Sequence, residues 1–216
     1  MNINIRRENP GDYRQVEHIT REAFWNLYRP GCDEHYMAHH LRNHEDFIPE
    51  LTFVIELDGQ IVGSIFYSKS KVVADDGRQW ETITFGPVSI SPELHRQGLG
   101  RKLITHSIEQ AKKLGYRAIM IGGFTYHYHP YGFVGTKKYS ITMPDGKYYT
   151  GIMALPLYDG ALDGVRGKLH FSEGMYPDEA GFEEYDKAFP EKEKLVLSHQ
   201  ANFETAAAEI DTQDYE

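Results

Sequence analysis

Apolar and polar residues fall into blocks of strand or helix periodicity, separated by clear breakers. Ile3 and Ile5 alternate with Asn and predict a short first strand. Pro10-Gly11-Asp12 then opens a helix whose Val16, Ile19, Ala23 and Phe24 share one face. Pro30-Gly31 breaks the chain, and a second helix is expected from about Asp33 to Asn43, carrying Tyr36, Met37 and Leu41. Three strands follow, at 51–57, 61–71 and 80–90. Asp58-Gly59 joins the first two as a tight hairpin, and Asp75-Asp76-Gly77-Arg78 makes the next turn. Leu103, Ile104, Ile108 and Ala111 give an amphipathic helix that stops at Gly115. Residues 117–121 are almost continuously apolar, as in a strand buried on both faces. A short helix at 126–131 and closing strands at 134–141 and 149–157, with a turn at Pro144-Asp145-Gly146, complete the pattern.

This order predicts a mixed α/β fold built from hairpins and one strand–helix–strand crossover. Beyond Asp159 the chain changes character, to scattered glycines, acidic stretches and a helical signal at 201–210. A boundary near Leu157 is therefore expected, with one domain over 1–157 and a C-terminal extension over 158–216. Aromatics in that extension (Phe171, Tyr176, Phe182, Tyr185, Phe189) predict that it packs on the domain, or on a second copy in a homodimer.

Charge narrows the function classes. With 23 Lys and Arg against 32 Asp and Glu the net charge is −9, which argues against nucleic-acid binding through the overall field. The single cysteine, Cys32, excludes an internal disulfide and a cysteine-built zinc site. His35/His39 and His40/His44 have i,i+4 spacing that a metal can use, but no His-Glu-x-x-His accompanies them, and no metal is expected. The first residues hold no long apolar run and no stretch approaches the roughly 18 apolar residues of a membrane span, so a cytoplasmic protein without membrane attachment is expected.

The most informative segment is Val88-Ser89-Ile90-Ser91-Pro92-Glu93-Leu94-His95-Arg96-Gln97-Gly98-Leu99-Gly100-Arg101. A strand runs into a loop with two glycines, and a helix begins there. Glycines let backbone N–H groups approach an anion, and the helix start adds free donors and partial positive charge. Arg96, Arg101 and Lys102 add full charges, so the loop favours phosphate or pyrophosphate. Neither the Walker pattern nor Gly-x-Gly-x-x-Gly is present. A glycine turn that merely lets strand and helix pack closely is the plain alternative.

His95-Arg96-Gln97-Gly98-Leu99-Gly100 resembles the acetyl-CoA pyrophosphate loop of the GNAT superfamily, Gln/Arg-x-x-Gly-x-Gly/Ala. The first position is His95 here, and Arg96 beside it keeps the charge. Downstream, Tyr128-His129-Pro130-Tyr131-Gly132-Phe133 resembles the family's Tyr-x-x-x-Gly-Phe signature. The resemblance spans roughly 3–157, and the tail is similar to a longer bacterial subgroup of predicted acetyltransferases. It implies the GNAT fold, a mixed twisted sheet flanked by helices, and acetyl-CoA as cosubstrate. It also implies direct acetyl transfer, in a ternary complex, to a small-molecule or peptide amine.

Under that resemblance Val88, Ser89 and Ile90 are expected to hold the pantetheine arm, on a strand that splays from its neighbour. His95, Arg96, Gln97, Gly98, Leu99, Gly100 and Arg101 are expected to hold the pyrophosphate. Pro87 lacks an N–H and cannot complete a central ladder there. Val88 or Ser89 N–H is a candidate donor to the thioester oxygen. Tyr128 is the expected general acid toward the leaving thiolate. For the base, Thr84 faces the slot by strand counting but cannot accept the proton. Glu81 is chosen although it is out of phase, needing a bulge or a bridging water. His127 is an alternative. The helix around His35–His44 is expected to border the acceptor. A rival reading is a non-catalytic acyl-CoA-binding module; another is a general phosphate-binding domain.

Overall fold

In the computed structural model, which describes residues 2–215, the strands form one nine-stranded mixed sheet. β1 (Ile3–Arg7) is followed by α1 (Tyr13–Phe24) and α2 (Glu34–Leu41), and then pairs antiparallel with β2 (Phe53–Leu57). The chain reverses through Asp58 and Gly59, at φ 52° and 84°, the doubly positive conformation that an Asp-Gly hairpin uses. β3 (Gln60–Val73) and β4 (Gln79–Ile90) pair antiparallel along their length, except that Gly86 and Pro87 together oppose the single residue Phe66. This bulge switches the side-chain phase of β4, so Phe85 and Val88, three residues apart, share a face.

α3 (Leu99–Lys113) crosses over to β5 (Ala118–Gly122), which runs parallel to β4. The helix buries Leu99, Leu103, Ile104, Ile108 and Ala111, and the chain leaves it through Gly115 at φ 79°. α4 (Thr125–Tyr128), β6 (Val134–Gly135), β7 (Ile141–Thr142) and β8 (Ile152–Pro156) follow. The main strand order is β1-β2-β3-β4-β5-β8-β6, a mixed α/β architecture as the element order predicts.

Two expectations about the closing elements need correction. The segment 134–141 is not one strand. β6 pairs with β8 whereas β7 pairs with β9 (Gly167–Phe171), so the chain must change direction between partners, through a 3-10 turn at Thr136–Tyr139 and Ser140 at φ 56°. Leu157 is also not the end of the sheet, because β9 returns to pair with the second half of β3. α5 (Glu179–Asp186) and α6 (Gln200–Ala208) complete the chain. Among the described residues no helix is long and apolar enough to cross a membrane.

Strand alternation sorts the core into layers. Phe53, Ile55, Ile65, Tyr67, Ile83 and Phe85 pack under α3. Val54 and Phe66, which point the other way, pack under Val16, Ile19, Ala38 and Leu41 of α1 and α2. α3 and the α1/α2 pair therefore cover opposite faces of the sheet.

The extension is anchored by a charge. Arg21 on α1 is 1% exposed and donates from Nε and Nη2 to Asp186 on α5, at 2.7 and 3.1 Å. His35 of α2, fully buried, donates from Nε2 to the same carboxylate at 2.9 Å, and its Nδ1 lies 3.6 Å from the Cys32 thiol. Burial works against the Asp186 charge, but Arg21 and then His35 outweigh it and hold the carboxyl below its ordinary value. Burial, more than any neighbour, pushes His35 down to about 4.

Asp186→Ala leaves the Arg21 charge buried without its partner, and is expected to cost about 3 kcal/mol in denaturant unfolding. His35 carries a separate pH signature. Its folded value lies below the ordinary 6.5, so the unfolded chain takes up a proton that the fold refuses. Stability should fall as pH is lowered from about 6.5 to about 4, and His35→Gln should flatten that window in unfolding curves recorded across it.

Candidate functional site

β4 and β5 meet at one registered pair, Ile83 with Ile119, and then part. From Thr84 to Ile90 the β5-facing edge of β4 has no ladder partner among the described strands. A cavity of about 1000 Å³ fills the opening and runs from the α3 side of the sheet to the α1/α2 side.

At the α3 end, His95 Nε2 lies 2.8 Å from the Ile90 carbonyl oxygen, tying the glycine loop to the end of β4. The loop turns through Arg96 at φ 62° and Gly98 at φ 81°, and Gly98 caps α3. A Cβ at Gly98 would meet no atom within 4 Å, and one at Gly100 would meet only Ile90, at 3.6 Å. The first intrahelical bond recorded at this cap runs from Lys102 N–H to the Gly98 carbonyl, so the N–H groups before it are open toward the cavity mouth. Arg96 and Arg101 are exposed beside them. This end can hold an anionic diphosphate.

Eight of the expected cofactor residues line this cavity: Val88, Ile90, His95, Arg96, Gly98, Leu99, Gly100 and Arg101. Two do not. Ser89 turns its hydroxyl to the other face, 3.0 Å from Ser64 Oγ and 3.1 Å from Thr20 Oγ1, and Gln97 hangs back toward the Glu93 carbonyl. Ser89 therefore contributes no side chain to the cavity, and as the ladder partner of Ser64 it turns its backbone groups to β3.

Tyr128 sits midway, half-buried at the end of α4. Its ring packs on Phe85 and Phe133 at centroid distances of 5.8 and 5.9 Å. Gly123 makes room for it, because a Cβ there would lie 2.7 Å from Tyr128 Cε2. Gly123 is itself held by donating to the Gly151 carbonyl at 2.9 Å. Burial, with smaller contributions from Tyr28 and Tyr131, pushes the Tyr128 phenol up, so it remains a proton donor at neutral pH.

Glu81 lies outside the site. The strands are paired at Ile83 and open only after it, so Glu81 precedes the gap; its side chain is exposed, across from Lys71. No bulge intervenes to bring it inward. Thr84 does line the cavity, and its hydroxyl is buried without a hydrogen-bond partner. His127 lines the cavity too, its imidazole pushed down by burial.

Sequence reasoning missed Glu34. It lies in the first turn of α2, half-buried on the cavity wall. Its Oε2 accepts the Asp33 N–H at 3.1 Å, and burial, then the neighbouring Asp33, pushes its carboxyl up to about 7. An acid at the start of a helix normally reads as a dipole partner in solvent, so the sequence carried no signal for this burial. The aromatic wall beside it, where Tyr28 stacks on Phe203 at 4.3 Å, was equally illegible because its two rings are 175 positions apart in the chain.

The histidine helix holds no metal cluster. Among the described residues no three His, Cys, Asp or Glu side chains gather at ligand distance. Cys32, His35 and Asp186 stand in the order of a nucleophile relay, but the thiol is 3% exposed, raised by burial and outside the cavity. They form a packing and hydrogen-bond contact.

This geometry can be set beside known proteins. The chain resembles a GNAT family N-acetyltransferase from Escherichia coli, YhbS, solved in complex with CoA: TM-score 0.72 and 22% identity, over 82% of this chain and 93% of that one. It also resembles a GNAT family acetyltransferase from Brucella melitensis solved with acetyl-CoA, at TM-score 0.65 and 23% identity, over 80% and 97% of the two chains. At these identities the likeness is one of fold. A probable hydrolase of Bacillus subtilis (strain 168), YhcX, is 25% identical over 178 residues, 73% of this chain, which itself spans 31% of that relative's length. The sequence pattern of the Acetyltransferase (GNAT) family matches residues 21–129, half of the chain, from α1 through the glycine loop to Tyr128. With that match lying across the parted strands and the glycine loop, the chain belongs to the GNAT acetyltransferase family.

Proposed function

We propose that the protein is an acetyl-CoA-dependent N-acetyltransferase that moves the acetyl group to a primary amine by direct transfer in a ternary complex. The observation that carries this reading is the unpaired β4 edge leading straight into an open helix N-terminus, with the half-buried Tyr128 phenol midway. An extended arm with amide groups fits the edge, and a diphosphate fits the loop.

The fit divides among named groups. Backbone groups of Val88 and Ile90 would hold the pantetheine amides. N–H groups of Gly98 to Arg101, with the Arg96 and Arg101 charges, would hold the pyrophosphate. When bound, acetyl-CoA supplies an acetyl group on a thioester whose thiolate can leave. Val88 N–H would donate toward the thioester oxygen as negative charge develops there. The Tyr128 hydroxyl donates to the sulfur, since its raised pKa keeps it protonated. Glu81 has no part in this scheme, being on the closed side of the strands. We assign the cofactor half of the site to 1–157, and one wall of the acceptor half to 158–216.

Binding and turnover measurements test the reading. Acetyl-CoA should raise the melting temperature of the parent by mass action. Gly98→Val, forced to φ +81°, should cost about 1–2 kcal/mol of stability and abolish that rise; an unchanged rise removes the loop assignment. Tyr128→Phe should lower kcat by roughly 10²-fold or more with acetyl-CoA affinity retained. Gly123→Ala should act on the same quantity while leaving the hydroxyl in place, because its Cβ displaces the Tyr128 ring. A kcat loss of about tenfold or more is expected at unchanged acetyl-CoA affinity. Acetyl-CoA binding with no turnover on any amine returns the protein to the acyl-CoA-binding reading.

A further inference from the structure

The α1/α2 end of the cavity has its own chemistry. Four charged side chains line it: Arg29, Asp33 and Glu34 from the α1–α2 segment, and Glu204 from α6. Arg29 is already ion-paired with Asp33, so Glu34 and Glu204 leave this end net negative. Thr84 supplies an independent polar mark. Its hydroxyl, on a residue 2% exposed, has no partner, and strand parity turns it to the α1/α2 face, opposite Ile83 and Phe85. Around these polar groups the wall is aromatic. Tyr28 stacks on Phe203 at 4.3 Å, Phe124 meets Phe203 edge-on at 5.7 Å, and Phe24 lies 6.0 Å from Tyr28.

We propose that this end binds the acceptor as a primary amine on an aromatic or aliphatic body that carries no carboxylate, with Glu34 taking the ammonium proton and Phe203 of α6 gripping the body. The proposal rests on the acetyltransferase reading and names the acceptor class for the same site. Unpaired carboxylates and an unpartnered hydroxyl suit an ammonium, and they oppose a second negative charge. The apolar wall favours a body that gains from leaving water, which a polyamine does not offer.

The proton accounting closes. Such an amine has a pKa near 10.4 and arrives protonated. One proton passes to Glu34, which returns it to solvent. The nitrogen then forms the C–N bond as the C–S bond breaks. The sulfur takes the Tyr128 proton, and the second nitrogen proton restores the phenol. A carboxyl held at about 7 is a competent acceptor at neutral pH, half of it being ionised there. The groups that bear on its titration are Asp33, Arg29, Tyr28 and Cys32 nearby, with His127 and Glu204 facing the same cavity from α4 and α6.

The test uses the full chain with acetyl-CoA and three acceptors: 2-phenylethylamine, phenylalanine, which adds a carboxylate to the same ring, and spermidine. The expected kcat/KM for 2-phenylethylamine exceeds that for either of the others by about tenfold or more. Phe203→Ala is expected to raise KM for 2-phenylethylamine about tenfold while acetyl-CoA affinity is unchanged. Glu34→Gln is expected to lower kcat/KM about tenfold or more and to remove the acidic limb near pH 7. In the parent the sign is fixed: activity rises with pH through that limb as Glu34 loses its proton. Preference for phenylalanine or spermidine overturns the acceptor class, and an unchanged acidic limb in Glu34→Gln overturns the role of Glu34. An acetyl-CoA-induced melting shift is measured for every protein. Its presence with a different acceptor preference sinks this proposal alone, and its absence in the parent sinks the acetyltransferase reading as well.

Discussion

Two parallel strands that meet at one residue pair and then diverge are the constraint on which the rest of this structure depends. An unpaired edge inside a sheet leaves strong donors and acceptors without partners, and a protein keeps such an edge only where something else can satisfy it. In this chain the parting of β4 and β5 after Ile83 and Ile119 creates the cavity and sets its length. It also aims the end of β4 at the first turn of α3. The Gly86-Pro87 bulge supports the same arrangement, because it rephases β4 so that Val88 and Ile90 line the gap while Ser89 turns away.

The tail matters for a different reason. A sheet open between two strands is closed on the α3 side by α3 itself, but α1 and α2 leave the other side incomplete. The chain beyond Leu157 fills it with Phe171, Met175, Tyr176 and Phe203. What holds this wall is polar. Arg21 sits over the Trp25 ring at 4.1 Å and reaches Asp186, while Asn26 and Gln200 bond the connecting segment around Glu193 and Leu195. A buried cation accepts one partner geometry well and others poorly, so it specifies where the tail lies as much as how strongly it is held.

Burial has opposite consequences for the two acids near α2. Asp186 is matched by a guanidinium and an imidazole and is held ionised. Glu34 has a backbone N–H and an acidic neighbour, so burial dominates and its carboxyl rises toward neutrality. The first arrangement stabilises the fold. The second keeps a proton exchangeable at working pH, the property a proton acceptor in a reaction requires.

Much of the fold was legible along the chain. The periodicity of β1 to β5, the Asp58-Gly59 hairpin and the glycine loop before α3 are local features, set by backbone conformation and side-chain alternation over a few residues. Eight of the ten expected cofactor residues line the cavity for the same reason, since a loop between a strand and a helix carries its geometry with it. Tyr128 was placed by its distance from Gly132 and Phe133 in sequence. What local pattern could not decide was anything set by long-range pairing. The stretch 134–141 looked like one strand because nothing local marks that its two ends choose different partners. The wall at Phe203, the clamp at Asp186 and the burial of Glu34 each need residues far apart in the chain, and Glu81 was chosen as the base because only the position where β4 and β5 part shows that it precedes the opening. The sequence alone determined the strand–glycine loop–helix unit; only the tertiary structure decided where the strands separate and what the tail encloses, because both are set by contacts between segments that carry no record of each other in sequence.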